Sequence, residues 1–176
     1  MKKLLYVAMV VAALAAGAAV EKGDEKLPNV LLLGDSIRLG YGPFVRDQLK
    51  GKANVYQPED NCRYTYYTLR GLFDWRTSVV PDAKAVDVVH WNNGLWDLGQ
   101  RDGRPDCLTP LDVYTNTLVR IHGELRHYFP NAKIVFATTT PINTKIVCEQ
   151  HTLGNAVVER YNAAARMALE PRGVLI

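Results

Sequence analysis

Two short polar segments follow apolar runs of the chain, and their residue types could together perform acyl transfer. The first is "GDS", residues 34–36, and the second is "NNG", residues 92–94. A serine where a strand passes into a helix lies beside free backbone amides and the positive end of the helix dipole, which stabilise a developing oxyanion. An asparagine just past a buried strand can donate its amide to the same oxygen. Each segment alone is also typical of a turn, so Ser36 is a candidate nucleophile and the asparagine side chains of the second segment are candidate oxyanion donors.

Short apolar runs alternate with amphipathic stretches along the rest of the chain. Continuous apolar runs predict four buried strands, at residues 30–33, 53–56, 86–91 and 134–137. Helical spacing predicts helices at residues 43–50, 109–129 and 155–169, with Thr109 as a cap, a loop and helix at 61–74, and a further apolar run at 173–176. This alternation predicts an α/β fold with a mainly parallel sheet and helices on both faces. Sites in such sheets lie at the carboxyl ends of the strands, where Ser36 and Asn92 both fall.

The N-terminal residues have the pattern of a cleavable secretory signal. Residues 1–19 carry two lysines, an apolar stretch and small residues that suit signal peptidase, and residues 20–27 read as a charged linker. A membrane anchor is the alternative, but a bilayer core needs ~20 apolar residues and this stretch is shorter. We therefore expect export to the periplasm or beyond, one domain at residues 28–176, and no stable membrane anchor after cleavage.

The composition excludes several classes of function. The chain has 176 residues and 48% hydrophobic content, enough for one domain with a real core. Its formal charge is +3, which becomes +1 when the signal takes its two lysines with it, and no basic cluster with interleaved aromatics predicts a nucleic-acid partner. Cys62, Cys107 and Cys148 cannot all pair within one chain, and no Cys-x-x-Cys or His-x-x-x-His spacing predicts a metal site. We expect no metal and no other cofactor, and the sequence specifies no oligomeric state.

In order and spacing, these segments resemble the SGNH, or GDSL, hydrolase superfamily over residues 29–176. The resemblance implies a three-layer flavodoxin-like sandwich, a serine nucleophile matched by Ser36, and an oxyanion hole assembled from several segments. The amide of Ser36 would be the first donor. The third block of the family is commonly Gly-x-Asn-Asp, but here Trp96 stands in place of the asparagine. Asn92 is then the implied donor, as in a branch of the superfamily with Asn-x-Gly-Leu-Trp-Asp, whereas Asn93 points the opposite way along an extended segment.

The second block of the family departs from the common pattern as well. It usually supplies a glycine amide after the second strand, but "PEDNCRYTYYTL" has no glycine, so the backbone of Cys62 is the nearest substitute. Asp35, Gly94 and Trp96 are expected to shape the site. Arg63 is a further candidate that could bind an anionic group or a sugar.

The catalytic Asp-x-x-His of the family has no counterpart after residue 134. Four histidines are present and are poor substitutes: His90 lies within a strand, His122 and His127 lie on the long helix, and His151 lies in a loop without a neighbouring carboxylate. A serine without a general base is nearly inert. We therefore expect a domain that is truncated at its C-terminal end and a chain that is inactive, or nearly so, as given.

The resemblance implies a secreted serine ester hydrolase that works through an acyl-enzyme. A small acyl group on a carbohydrate or a similar small-molecule ester is the expected substrate, because export and the aromatic rings of Trp91 and Trp96 suit sugar stacking. Two alternatives remain open at this point. One is a non-catalytic glycan-binding protein that keeps the fold, and the other is an acyltransferase in which an alcohol replaces water.

Overall fold

A computed structural model of the chain describes residues 23–100, 104, 106–143 and 154–176. Within these residues four strands form one sheet in the order β2-β1-β3-β4, and every neighbouring pair is parallel. The elements in chain order are β1 (Asn29–Leu33), α1 (Ser36–Gln48), β2 (Asn54–Tyr56), α2 (Thr65–Ser78), β3 (Val88–Asn92), α3 (Leu95–Leu98), α4 (Leu111–Tyr128), β4 (Lys133–Ala137) and α5 (Asn155–Leu169). The predicted parallel α/β sandwich is therefore confirmed.

The hydrophobic core lies between one face of the sheet and the helices α2, α4 and α5. Alternate strand residues, including Leu31, Val89 and Phe136, point into it, where they meet apolar side chains such as Leu118 of α4. The opposite face is covered by α1, whose Tyr41 hydroxyl lies 3.3 Å from Nδ1 of His90 on β3. Helices thus flank both faces, and the uneven cover leaves the α1 side of β3 and β4 only half-buried.

Two helix starts differ from the sequence-based expectation. Helix α1 begins at Ser36 rather than at residue 43, because the side chain of Asp35 accepts a hydrogen bond from the amide of Ile37 at 3.0 Å and caps the first turn. Pro43 consequently lies inside the helix. Thr109 does not cap α4, whose first residue is Leu111 and whose start has no side-chain cap. Thr109 is instead buried and turned toward Asp97.

The apolar run predicted at residues 173–176 continues the sheet beyond β4. Leu175 forms an isolated parallel bridge with Val135, and the amide of Phe136 donates to the carbonyl of Leu175 at 2.8 Å. The predicted signal at residues 1–19 lies outside the described residues. No helix in the described ranges is long and apolar enough to cross a bilayer.

Candidate active site

Ser36 is the first residue of α1 and follows the buried end of β1. Leu31, Leu32 and Leu33 are almost fully buried, whereas Ser36 is exposed. At the first position of a helix, a backbone N–H has no carbonyl of its own helix to bond. The strand-to-helix turn therefore presents both a hydroxyl and a free amide to solvent at the carboxyl edge of the sheet.

Asn92 lies beside this turn because β3 is the direct neighbour of β1. It is the last residue of β3, and its Nδ2 donates to Oδ1 of Asp35 at 3.3 Å. The close approach depends on Gly34, where an added Cβ would lie 2.0 Å from Oδ1 of Asn92. The structure thus brings together the two segments that the sequence separates by more than fifty residues.

Asp35 is a buried carboxyl group at the centre of this contact, with 0% of its surface exposed. Burial raises the pKa of Asp35, and this effect outweighs the lowering by the Ile37 amide, the Asn92 amide and the positive charge of Arg38. Its Oδ2 atom and the Oδ1 atom of Asn92 are both buried without a hydrogen-bond partner among the described residues. The site therefore has more buried acceptors than donors.

The loop after β2 approaches Ser36 in a different way from the one expected. The amide of Cys62 donates to the carbonyl of Gly34 at 3.1 Å, so it is already engaged, and the Cys62 side chain is fully buried. The amide of Cys62 is therefore not free to act as the predicted backbone oxyanion donor. Its hydrogen bond connects this loop to the turn that carries Ser36.

A buried arginine reinforces the same junction. Arg38 is 0% exposed and has no acidic partner among the described residues, and its guanidinium donates to the carbonyls of Gly34 at 3.2 Å, Pro58 at 2.8 Å and Asp60 at 2.6 Å. Carbonyl oxygens thus satisfy a charge that would be costly to bury alone. No pattern in the sequence predicts this role, because an arginine two residues after Ser36 carries no signal of burial and its acceptors are backbone carbonyls.

Two residues of the segment after β3 hold the start of α2. Asn93 is fully buried, and its Nδ2 donates to the carbonyl of Arg63 at 3.1 Å and to Oγ1 of Thr68 at 2.9 Å. Asp97 is also fully buried and accepts from the amide of Thr65 at 3.1 Å and from its hydroxyl at 2.7 Å. Burial raises the pKa of Asp97 to about 6 despite these bonds. The Asn93 side-chain amide is therefore occupied by the carbonyl of Arg63 and the hydroxyl of Thr68.

Arg63 has a backbone conformation that is unusual for its residue type, with φ at +47°. Its amide donates to Oδ1 of Asn61 at 2.8 Å, and its carbonyl accepts from Asn93. The exposed guanidinium lies 4.5 Å from the ring centroid of Tyr67. Arg63 is thus at the edge of the site, with its side chain held over an aromatic ring on α2.

The two tryptophans near Asn92 differ in their exposure. Trp91 is 0% exposed and packs against Phe136 with ring centroids 4.8 Å apart, so the expectation that it stacks on a sugar is wrong. Alternation along β3 turns its side chain into the core. Trp96, on α3, is half-buried and remains available at the surface.

Gly94 allows the tight turn between β3 and α3. Its φ is +150°, and an added Cβ would lie 2.1 Å from Oγ1 of Thr139.

Replacing Gly94 with alanine is therefore expected to lower the free energy of unfolding by about 2 kcal/mol. Urea denaturation measures this loss. Gly123→Ala is the matched control, because Gly123 lies in a helix with open space around it and the same change there is expected to stabilise the fold. Equal effects at both positions would contradict the role given to the Gly94 turn.

No described histidine is hydrogen-bonded to Ser36. His90 is half-buried with its Nδ1 at Tyr41, and burial lowers the pKa of its imidazole. His122 is on α4, where burial also lowers its pKa, and His127 is exposed on the same helix. His151 lies outside the described residues. Nor does any group of three or more His, Cys, Asp or Glu in the described part of the chain form a potential metal site.

Solved structures with a similar fold include esterases and a lipase. The chain is similar to a Streptococcus pneumonia protein named for platelet activating factor, with a TM-score of 0.64 and 19% identity over 82% of this chain and 62% of that one. The chain has the SGNH hydrolase fold. It is also similar to an acetyl esterase variant crystallised with an acetate ion, with a TM-score of 0.58 and 16% identity over 85% of this chain and 78% of that one.

A third similar structure is a carbohydrate esterase family 3 protein from Talaromyces cellulolyticus, with a TM-score of 0.55 and 15% identity over 82% of this chain and 73% of that one. The chain thus spans less than two thirds of the Streptococcus protein, and rather more of the other two. No known family profile matches the sequence. A comparison with curated proteins also gives no match.

Proposed function

We propose that this domain belongs to an exported serine ester hydrolase of the SGNH type, which removes small acyl groups from a carbohydrate or a similar ester through an acyl-enzyme. The observation that carries the proposal is the contact between the Ser36 turn and Asn92 across neighbouring strands, joined by the bond from Asn92 to Asp35. The serine hydroxyl and a side-chain amide thereby lie at one edge of the sheet, as acyl transfer requires.

In the proposed reaction, Oγ of Ser36 attacks the carbonyl carbon of the ester while its proton passes to a general base. The carbonyl oxygen becomes negatively charged and is stabilised by the amide of Ser36 and by Nδ2 of Asn92. Collapse of this intermediate breaks the bond to the alcohol, which leaves with a proton, and an acyl group remains on Ser36. Water then releases the acid by the same steps.

This mechanism needs a general base. Among the described residues, no side chain that could act as a base is hydrogen-bonded to Ser36. In the SGNH family the Asp-x-x-His segment supplies it, and the sequence has no such segment after residue 134. A serine hydroxyl without a base reacts slowly, and the loss of one triad member costs several powers of ten in rate. We therefore propose that the 176-residue chain by itself has little activity, and that its Ser36 can be assisted by an added base.

Two observations support the proposed substrate class. The similar structures include an acetyl esterase and a carbohydrate esterase. Trp96 is half-buried, lies four residues after the proposed oxyanion donor, and has a ring of the kind that stacks on sugars. Export rests on the signal-like pattern of residues 1–19, and one similar structure is described as an extracellular lipase.

The test measures cleavage of 4-nitrophenyl acetate by the chain with increasing concentrations of imidazole, which can replace a missing histidine base. Ser36→Ala is expected to remove the protein-dependent part of the imidazole response. Asn92→Ala should reduce it strongly, because one oxyanion donor is worth roughly 10²- to 10³-fold in rate. Imidazole also cleaves this ester in free solution, so every rate is taken relative to Ser36→Ala under identical conditions.

Ser78→Ala is the matched control, because Ser78 is an exposed serine at the end of α2. It should respond to imidazole as the unchanged chain does. If the unchanged chain and Ser36→Ala cleave the ester at equal rates at every imidazole concentration, Ser36 is not the nucleophile.

A further inference from the structure

The contact between Asp35 and Asn92 lacks a donor. Asp35 is 0% exposed and Asn92 is 8% exposed. One oxygen of Asp35 accepts from Ile37 and from Asn92, but its second oxygen has no partner among the described residues, and neither has the side-chain oxygen of Asn92. Unsatisfied polar atoms in the interior are rare in native proteins, because each one costs the free energy of its lost hydration.

The charged and titratable groups around Asp35 do not supply this donor. Arg38 on α1 uses its N–H groups on the carbonyls of Gly34, Pro58 and Asp60 and on Sγ of Cys62. The Tyr41 hydroxyl, on the same helix, lies against Nδ1 of His90 on β3. The side chains of Asp35 and Asn92 therefore need one additional hydrogen as a donor. A protonated Asp carboxyl group carries such a hydrogen itself.

We propose that Asp35 is a positioning residue that works as a neutral carboxylic acid: it holds the Asn92 carboxamide in place and leaves the second N–H of Asn92 for the substrate oxygen. The hydroxyl of the acid donates to a buried acceptor, while its carbonyl oxygen continues to accept from Asn92 and from Ile37. That Asn92 is the oxyanion donor rests on the proposed function. That Asp35 is neutral does not depend on the proposed function, because it is argued from the orphaned buried oxygens.

The neutral form also suits the chemistry. An ionised carboxylate one hydrogen bond away from the oxyanion donor would repel the negative charge that develops on the substrate, and at this range the repulsion is worth roughly tenfold to a hundredfold in rate. A neutral acid at the same position keeps the hydrogen bond and removes the repulsion. Burial raises the pKa of Asp35, which favours the neutral form, while the nearby Arg38 guanidinium acts in the opposite direction.

The experiment is a pH titration by carbon NMR of the chain labelled at its aspartate carboxyl carbons, with the Asp35 signal assigned by its absence in Asp35→Asn. We expect Asp35 to stay protonated at pH values well above 3.8, the ordinary pKa of an aspartate carboxyl group. If Asp35 is already ionised at or below that pH, the proposal is overturned.

Two variants separate positioning from a general effect on folding. The new carboxamide in Asp35→Asn can accept from Asn92 with its oxygen and donate with its amide, so this variant reproduces the neutral acid at every pH. Hydrogen exchange of the Asn92 side-chain amide should be equally slow in Asp35→Asn and in the unchanged chain at low pH, and at least tenfold faster in Asp35→Ala. Equal exchange in all three proteins would contradict the positioning role.

These readouts do not depend on ester cleavage. If Ser36→Ala leaves the cleavage rate unchanged but Asp35 titrates late, the proposed function fails and the neutral acid stands. If Ser36 is required but Asp35 is already ionised at or below the ordinary aspartate pKa of 3.8, the function stands and the neutral acid is excluded.

Discussion

Replacing Arg38 with methionine is expected to lower the free energy of unfolding by about 3 kcal/mol, since it leaves two buried carbonyls without their donor at a cost of about 1–3 kcal/mol each. These are the carbonyls of Pro58 and Asp60, which Arg38 bonds at 2.8 Å and 2.6 Å. The carbonyl of Gly34 still accepts from the amide of Cys62, so losing its bond to Arg38 costs less free energy. Urea denaturation at neutral pH measures the difference.

Whether replacing Arg38 lowers or raises the free energy of unfolding depends on which groups its buried charge contacts. A charge in the interior is expensive, and replacing a buried ion pair with apolar side chains is often neutral or stabilising. Arg38 has no acidic partner within salt-bridge distance among the described residues. Its removal therefore breaks no ion pair, but it leaves the carbonyls of Pro58 and Asp60 without a hydrogen-bond donor. Arg38→Lys should be intermediate, because one ammonium group cannot reach all the carbonyls that the planar guanidinium reaches.

Arg46→Met, on the exposed side of the same helix, is the control and is expected to change stability by less than about 0.5 kcal/mol. A more stable Arg38→Met protein would show that the cost of burying the charge exceeds the value of its hydrogen bonds. In that case the loop of residues 58–62 would be held near Ser36 by packing rather than by Arg38.

The second large effect concerns Asp97 and pH. Its folded-state pKa is about 6, above the ordinary value of 3.8, because burial disfavours the ionised form. The folded protein therefore holds this proton more tightly than the unfolded chain does. Stability from this group is fully present below about pH 4, is lost as the pH rises to about 6, and is constant above that, a total loss of about 3 kcal/mol.

The measurement compares urea unfolding between pH 4 and pH 7 for the unchanged chain and for Asp97→Asn. Other groups titrate in the same range, and burial of His90 and His122 lowers the pKa of each and acts in the opposite direction. The prediction therefore concerns the free energy of unfolding of the unchanged chain minus that of Asp97→Asn, which should fall by about 3 kcal/mol as the pH rises. Parallel curves for Asp97→Asn and the unchanged chain would show that Asp97 ionises normally.

Arg38, Asn93 and Asp97 share one structural consequence. Each is hydrogen-bonded to residues 58–68, which comprise the loop after β2 and the first turn of α2, from another part of the carboxyl edge: Arg38 from α1, Asn93 from the loop after β3, and Asp97 from α3. The edge that holds the proposed site is therefore fixed by buried polar contacts between three loops. Apolar packing positions the strands, but these polar contacts set the distance between Ser36 and its surroundings.

The sequence alone determined the sheet and the two segments at its edge. Continuous apolar runs bounded by turn residues predicted β1 and β4 to within one residue, and the periodicity of residues 155–169 predicted α5 with both ends in place. Ser36 and Asn92 could be placed together because the carboxyl ends of parallel strands meet at one edge. These strands could be located because a short apolar run bounded by turn residues is a strong local signal.

Only the tertiary structure decided which polar groups in the site are free. The sequence predicts the Cys62 amide as an oxyanion donor, but this amide is hydrogen-bonded to the carbonyl of Gly34. It also predicts that Trp91 stacks on a sugar, but this side chain lies in the core. Arg38 and Asp97 were overlooked because their partners are distant in sequence or are backbone carbonyls, which carry no sequence signal. Local patterns report burial and periodicity, whereas hydrogen-bond pairing depends on distances that exist only after β1, β2 and β3 have come together.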